Sequence, residues 1–318
     1  AYIAPGATVN MSGGKLGYSS SYAATSGQIL NGGAFYVDAN ETSKGTLNIS
    51  GGSISGFNVD RYGGAVYNKG VFNMTGGSIE GCRVVGTDGG YPEDGKGGGV
   101  YNEGTMTLGG NAKIKDNVAK SQRQVETEYP YGQGGGIYQS NDANSSLTVS
   151  GNPFVAGNKV YNGEDVSEKG THVKDSDIYC VDNGTEAYLF NVGVLGTAAN
   201  IGVDSIGKTV GSNTFFAKNT TGQGFDSSVA FFEDNGSNCR SVSGTLESVE
   251  NGGIMWSQDP AQICKVGSNI FASIQEAIEY INNDTAGSDY TIEMLVPLYY
   301  MRANASFTKE NKNITLTT

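Results

Sequence analysis

Gly63-Gly64-Ala65-Val66-Tyr67-Asn68, followed by Phe72-Asn73-Met74-Thr75-Gly76-Gly77-Ser78-Ile79, decides the fold, because both halves recur along the chain. The first half returns as Gly32-Gly33-Ala34-Phe35-Tyr36, Gly98-Gly99-Val100-Tyr101-Asn102 and Gly135-Gly136-Ile137-Tyr138, with tyrosines 31, 34 and 37 residues apart. The second half appears as Val9-Asn10-Met11-Ser12-Gly13-Gly14-Lys15-Leu16 and as Leu47-Asn48-Ile49-Ser50-Gly51-Gly52-Ser53-Ile54. Looser copies run from Met106 through Ile114 and from Leu147 through Val155. Repetition at this period marks a stacked array of small units, none able to bury its own apolar face alone.

Inside each copy the apolar period is two: Leu47/Ile49, Phe72/Met74, Met106/Leu108 and Leu147/Val149. That is the pattern of a half-buried strand, followed by a glycine corner and another short strand. No helix-length segment separates them. Stacking pairs like strands in parallel, and crossover connections between parallel strands are right-handed. The expected fold is therefore all-β, a right-handed parallel β-helix or solenoid over residues 1–252. A β-sandwich with glycine-rich hairpins is the alternative. Tyr36/Tyr67/Tyr101/Tyr138 and Ile54/Ile79/Ile114/Val155 should form ladders, with Asn58, Asn117 and Asn158 in an asparagine ladder that Arg83 interrupts.

Composition agrees. Glycine is 49 of 318 residues, proline only 6 and charged residues 16%, too few charges for a solvated disordered chain. The net charge of −12 disfavours nucleic acid and anionic lipid as partners. No apolar run is long enough to span a bilayer, so no membrane insertion is expected here. The first residues carry no signal-peptide pattern, and the chain opens and closes in mid-pattern, which reads as part of something longer. Cys82, Cys180, Cys239 and Cys264 form no CxxC, and His172 is the single histidine, so zinc is not expected. Buried thiols are the first expectation, a bridge among the last three the second.

From about residue 253 glycine thins out. Ser273-Ile274-Gln275-Glu276 is a capping-box pattern, and Ile274, Ala277, Ile278 and Ile281 make a helical apolar stripe, followed by strand-like Tyr290–Val296 and Lys312–Thr317. Residues 253–318 thus form a small α/β segment, either a cap or the opening of a further β-helix module. Trp256 is expected to pack between the two.

The Gly-Gly-(Ala/Gly)-(Val/Ile)-Tyr-Asn signature with the following Leu-x-(Ile/Met)-Ser/Thr-Gly-Gly-x-Ile resembles pectate-lyase-like right-handed β-helices of large surface proteins in gut Firmicutes. It is similar also to the GGAI repeats of chlamydial polymorphic membrane proteins. The likeness covers residues 7–160, and is specific for fold rather than activity. It implies an extracellular bacterial rod, cell-surface or secreted, often adhesive. Pectin hydrolases of similar fold carry grouped aspartates, Gly-His-Gly and Arg-Ile-Lys, none of which this chain has; no catalytic residue is assigned. A polysaccharide lyase or glycoside hydrolase with paired carboxylates is the alternative function, and a passive stalk the next.

Insertions lengthen at one corner of successive repeats, around 58–62, 84–96 and 118–133. Solenoid insertions collect on one face, commonly the binding face. Arg61, Tyr62, Tyr91, Arg123, Tyr129 and Tyr131 are the candidate ligand-binding residues, tyrosine offering a flat apolar face with a hydroxyl for a sugar or a protein hot spot. The expected partner is a host or dietary glycan or a host extracellular protein. No cofactor is expected; calcium is the one ion that Asp88, Glu93 and Asp94 could take, on a spacing that is not an EF-hand's.

Overall fold

A computed structural model describes residues 1–17, 30–88, 91–92, 95–121, 131–162, 173–181, 189–204, 215–220, 230–234, 241–243, 253–256, 264–271, 274–285, 287–295, 308 and 313–317. Most strands join a 20-stranded sheet in which equivalent segments of successive repeats pair in parallel. The architecture is all-β, largely parallel and solenoid-like.

Three-residue strands form the first ladder: Phe35–Val37, Val66–Asn68, Val100–Asn102, Ile137–Gln139 and Ile178–Cys180, with Tyr2–Ile3 on the near edge. Tyr2, Tyr36, Tyr67, Tyr101, Tyr138 and Tyr179 are in register throughout. Because side chains alternate across a strand, the residues flanking each tyrosine turn the other way. Phe35, Val66, Val100, Ile137 and Ile178 enter the main core, while the tyrosines pack as a separate aromatic cluster.

The second motif supplies the next two ladders. Leu47, Phe72, Met106 and Leu147 align in one, Ile54, Ile79, Ile114, Val155, Ile201 and Phe231 in the other. These side chains are almost wholly buried in one continuous core. A further sheet aligns Asn58–Val59, Arg83–Val84, Val118–Lys120 and Lys159–Tyr161, and ends with antiparallel Val173–Asp175.

The paired glycines of the motif do two different jobs. Gly63 has a φ of 65°, a conformation that a Cβ disfavours, whereas Gly64 lies so close to the next repeat that a Cβ there would stand 1.9 Å from the Gly98 carbonyl oxygen. Alanine fits neither position.

The asparagine ladder is displaced from its expected place. Asn58 is exposed and stands opposite Arg83, itself opposite Val118. Asn117 and Asn158 follow their apolar anchors by three residues and Asn58 by four, so the register equivalent is Cys82 in the repeat before. There each backbone N–H donates to the side-chain oxygen of the next repeat: Cys82 to Asn117 (2.9 Å), Asn117 to Asn158 (3.0 Å), Asn158 to Asp177 (2.8 Å) and Asp177 to Asp234 (2.7 Å). A second buried amide row joins Asn68 Nδ2 to Asn102 Oδ1 (2.7 Å) and Asn102 Nδ2 to Gln139 Oε1 (2.6 Å).

Phe215–Asn219 and Gly253–Trp256 pair antiparallel, as do Gly253–Trp256 and Ser241–Ser243, so the parallel order of the large sheet changes there. Elements of a separate four-stranded sheet begin at Cys264 and include Asp289–Met294 parallel to Asn313–Thr317. The helix α1 (Ile274–Asn283) buries Ala277, Ile278 and Ile281 against Cys264 and Ile292 in a second core. Ser273 and the side chain of Trp256 lie outside the described residues. Cys82, Cys180 and Cys264 are buried thiols; Cys239 is outside the described set. Burial pushes the Cys82 and Cys264 thiols up to about 11.

Candidate functional site

The insertions have ordered bases. Each leaves from the sheet that holds Val59, Val84 and Ala119, and the chain returns through a row of single parallel bridges, Asn31 to Tyr62, Tyr62 to Lys96 and Lys96 to Gln133. Stems one repeat apart therefore sit one strand spacing apart, about 4.8 Å.

Tyr62 extends the aromatic cluster sideways. Its ring stacks on Tyr101 at 4.8 Å and on Tyr67 at 6.3 Å, with the Arg61 guanidinium 5.0 Å and the Lys96 ammonium 5.8 Å from its centroid. Lys96 lies also over Tyr138, at 5.2 Å. Along the ladder itself, ring centroids from Tyr36 to Tyr179 are 4.8–5.6 Å apart. Such offset stacks add to area burial, and cations over ring faces strengthen them.

Glu103 binds two rungs at once, accepting from the Tyr67 hydroxyl at 2.7 Å and the Tyr101 hydroxyl at 3.2 Å. Burial first, and then the Glu103 carboxylate, push both phenols far above their ordinary range. Both stay protonated donors at any physiological pH. Their chemistry is positional: they fix the strand row from which the insertions spring.

The candidate residues divide accordingly. Arg61 and Tyr62 come together at the insertion base, engaged with each other and with the aromatic cluster. Tyr131 bridges to Asn162 and lies 4.0 Å beneath the Lys174 ammonium. Asp88 and Tyr91 face each other in a short antiparallel pair, Thr87–Asp88 with Tyr91–Pro92, whose side chains are not described. Arg123, Tyr129, Glu93 and Asp94 lie outside the described residues; among the described side chains of the set, those of Arg61 and Tyr62 are in contact. Among the described residues no group of three or more acidic, histidine or cysteine side chains is placed to hold a metal ion.

Compared with known protein families, curated proteins and solved structures, the chain matches none.

Sequence reasoning passed over Glu103 and Lys96. Glu103 had a usable signal, since Tyr67-Asn68-Lys69 and Tyr101-Asn102-Glu103 put opposite charges at equal offsets; the pair lies 3.9 Å apart. A second missed feature is the carboxyl end of the asparagine ladder. Asp177, 1% exposed, accepts at Oδ1 from the Asn158 backbone N–H and from Asn158 Nδ2 (2.7 Å). Its backbone N–H donates to Asp234 Oδ2 (2.7 Å), and burial drives its pKa from 3.8 up to about 7, the charge of Asp175 adding to the rise and the hydrogen bonds from Asp234 and Asn158 opposing it. A carboxyl buried this fully favours its protonated form.

Proposed function

We propose that this chain is a right-handed parallel β-helix from a bacterial cell-surface or secreted protein, and that it acts as a non-enzymatic, adhesin-like rod. Its insertions bind a host or dietary glycan or a host extracellular protein. The reading rests on one observation above all: the stems of successive insertions are in register, through Asn31–Tyr62–Lys96–Gln133 on one side and Asn58–Arg83–Val118 on the other. Right-handedness is the rule for crossovers between parallel strands. The braced tyrosine stack provides a stiff platform, and weak contacts from neighbouring insertions gain strength when many copies share a surface.

The test shortens the insertions between the stems, removing 87–94 and 122–130 together and joining each stem with a short Gly-Ser linker. Far-ultraviolet circular dichroism and the melting temperature should stay close to those of the parent. Binding to a glycan array or to host extracellular-matrix proteins should be lost. Binding retained at parental strength rejects the insertion flank as the site. Release of reducing ends or unsaturated products from pectin or alginate would favour the lyase or hydrolase alternative, and a parent that binds nothing would favour the stalk.

A further inference from the structure

The connection between the tyrosine strand and the next strand is two residues long in consecutive repeats, Lys69-Gly70 and then Glu103-Gly104. After Ile137–Gln139 it grows to six, Ser140 to Ser145, before Ser146–Gly151 begins. The added residues do not hang loose. Ser140 Oγ donates to Asp142 Oδ2 (2.7 Å), the Asp142 N–H donates to Ser140 Oγ (3.2 Å), and Ser145 Oγ is 2.7 Å from the Ser140 carbonyl and 2.8 Å from that of Asp142. Gln139 Nε2 also donates to the Ser140 carbonyl, at 2.8 Å.

This braced loop walls a pocket of ≈ 240 Å3 together with the strand row of the following repeat. Val181, Leu189 and Phe190 give it an apolar side, and Asn141, Asp142 and Asn191 a polar one. Asp142 is the one charged side chain among the described residues lining it. One apolar wall facing a few fixed polar groups is the general form of a small-ligand site. The volume is below the ~300–1,000 Å3 of drug-sized pockets, which fits a single ring.

We propose that this pocket binds one neutral monosaccharide unit. The C–H face of a pyranose would lie on the half-buried side chains of Val181 and Leu189, the Phe190 ring beneath being packed into the core. Its hydroxyls would donate to the Asp142 carboxylate and exchange hydrogen bonds with the amides of Asn141 and Asn191, each able both to donate and to accept. The carboxylate repels an acidic sugar, so uronic acids are excluded. The pocket lies at a different connection from the insertion flank, and the inference does not depend on that flank binding anything.

The probes are galactose, glucose and N-acetylglucosamine, with galacturonate as the anionic counter-probe, followed by ligand-observed saturation-transfer NMR and protein chemical shifts. A ligand of this size should bind in the range of about 1–10 mM. At least one neutral sugar should bind so, and galacturonate should not. Asp142→Ala, at an exposed position, should weaken binding about tenfold, as expected for loss of a charge-assisted hydrogen bond. Replacing Ser140–Ser145 by the Lys-Gly turn of the earlier repeat should abolish it, while the shortened-insertion variant should bind as the parent does. Absence of binding by all three neutral sugars at about 50 mM, equal binding of galacturonate, or unchanged affinity in a folded Asp142→Ala variant would each overturn the assignment. Loss of sugar binding on shortening the insertions would overturn it too, moving the site to the other flank.

Discussion

The repeats from Phe35 to Tyr161 and the segments from Ile178 to Phe231 continue the same ladders but fill them with different chemistry. In the first region identical or similar groups sit over one another: tyrosine on tyrosine, with interplanar angles of 6–25° from Tyr36 to Tyr138, and amide on amide in two buried rows. In the second, Phe190, Phe216 and Phe231 meet at 49–78°, and the amide row passes into Asp177 and Asp234. A primary amide both donates and accepts, so it can stack on copies of itself and leave each member satisfied. A carboxylate only accepts. Asn158 Nδ2 still donates to Asp177 Oδ1, but an ionised Asp177 side chain has nothing to donate onward, and it is the backbone N–H that reaches Asp234. The lesson is that register alone does not make a ladder stable; the residue type must be able to repeat.

The contrast can be broken most severely where backbones nearly touch. Gly64→Ala drives a Cβ against the Gly98 carbonyl and, at 2.8 Å, against the Arg83 backbone nitrogen. A clash with two neighbouring backbone segments, neither of which can rotate away, should destabilise by at least about 4 kcal/mol. Chemical denaturation should show the loss, and a melting temperature near the parent's would refute the close approach.

The acid end of the row should respond to pH. Asp177 holds its proton in the folded chain to about pH 7 but in the unfolded chain only to about 3.8. The folded state binds the extra proton between those values, so this group's stabilisation is complete below about pH 4 and lost as pH rises through about 7. The charge of Asp175 adds to the burial-driven rise, while the hydrogen bonds with Asp234 and Asn158 oppose it. Asp177→Asn keeps an oxygen to accept from Asn158 and has no proton to lose. The variant should match the parent near pH 4 and exceed it near pH 8 by on the order of 3 kcal/mol. Parallel stability-against-pH curves for the two proteins would show that Asp177 does not carry the pH dependence.

A smaller effect sharpens the other side of the comparison. Asn102→Ala leaves Asn68 Nδ2 and Gln139 Oε1 without the partner between them, in a site of no solvent exposure. A loss of about 2 kcal/mol is expected, independent of pH. A pH-dependent loss would mean that the amide and carboxyl rows are not chemically distinct.

The regular region was legible because its apolar and tyrosine positions recur at equal offsets, so one alignment predicts Tyr67 opposite Tyr101 and Ile79 opposite Ile114. The same reasoning slipped by one residue at Asn58, since corner length differs between repeats and an asparagine on either side of the corner looks alike in sequence. Tyr2 and Tyr179 escaped notice as rungs because no glycine pair precedes them. Asp177 and Asp234 are 57 residues apart, without a shared motif, and only the folded chain makes them neighbours. At the candidate flank the sequence showed which residues were inserted, and Arg61 with Tyr62 do meet there. That Tyr62 is committed to stacking against Tyr67 and Tyr101 follows from the spacing between rows, which no residue pattern encodes.

The stacked phenols have an optical consequence. Five rings from Tyr36 to Tyr179, four in the ladder's parallel series beyond Tyr36 and each within 5.6 Å of the next, place their electronic transition dipoles close enough to couple in a fixed chiral order. The near-ultraviolet dichroism of the chain then reports the alignment of one repeat on another, without any attached dye, and would fade as soon as that alignment opened.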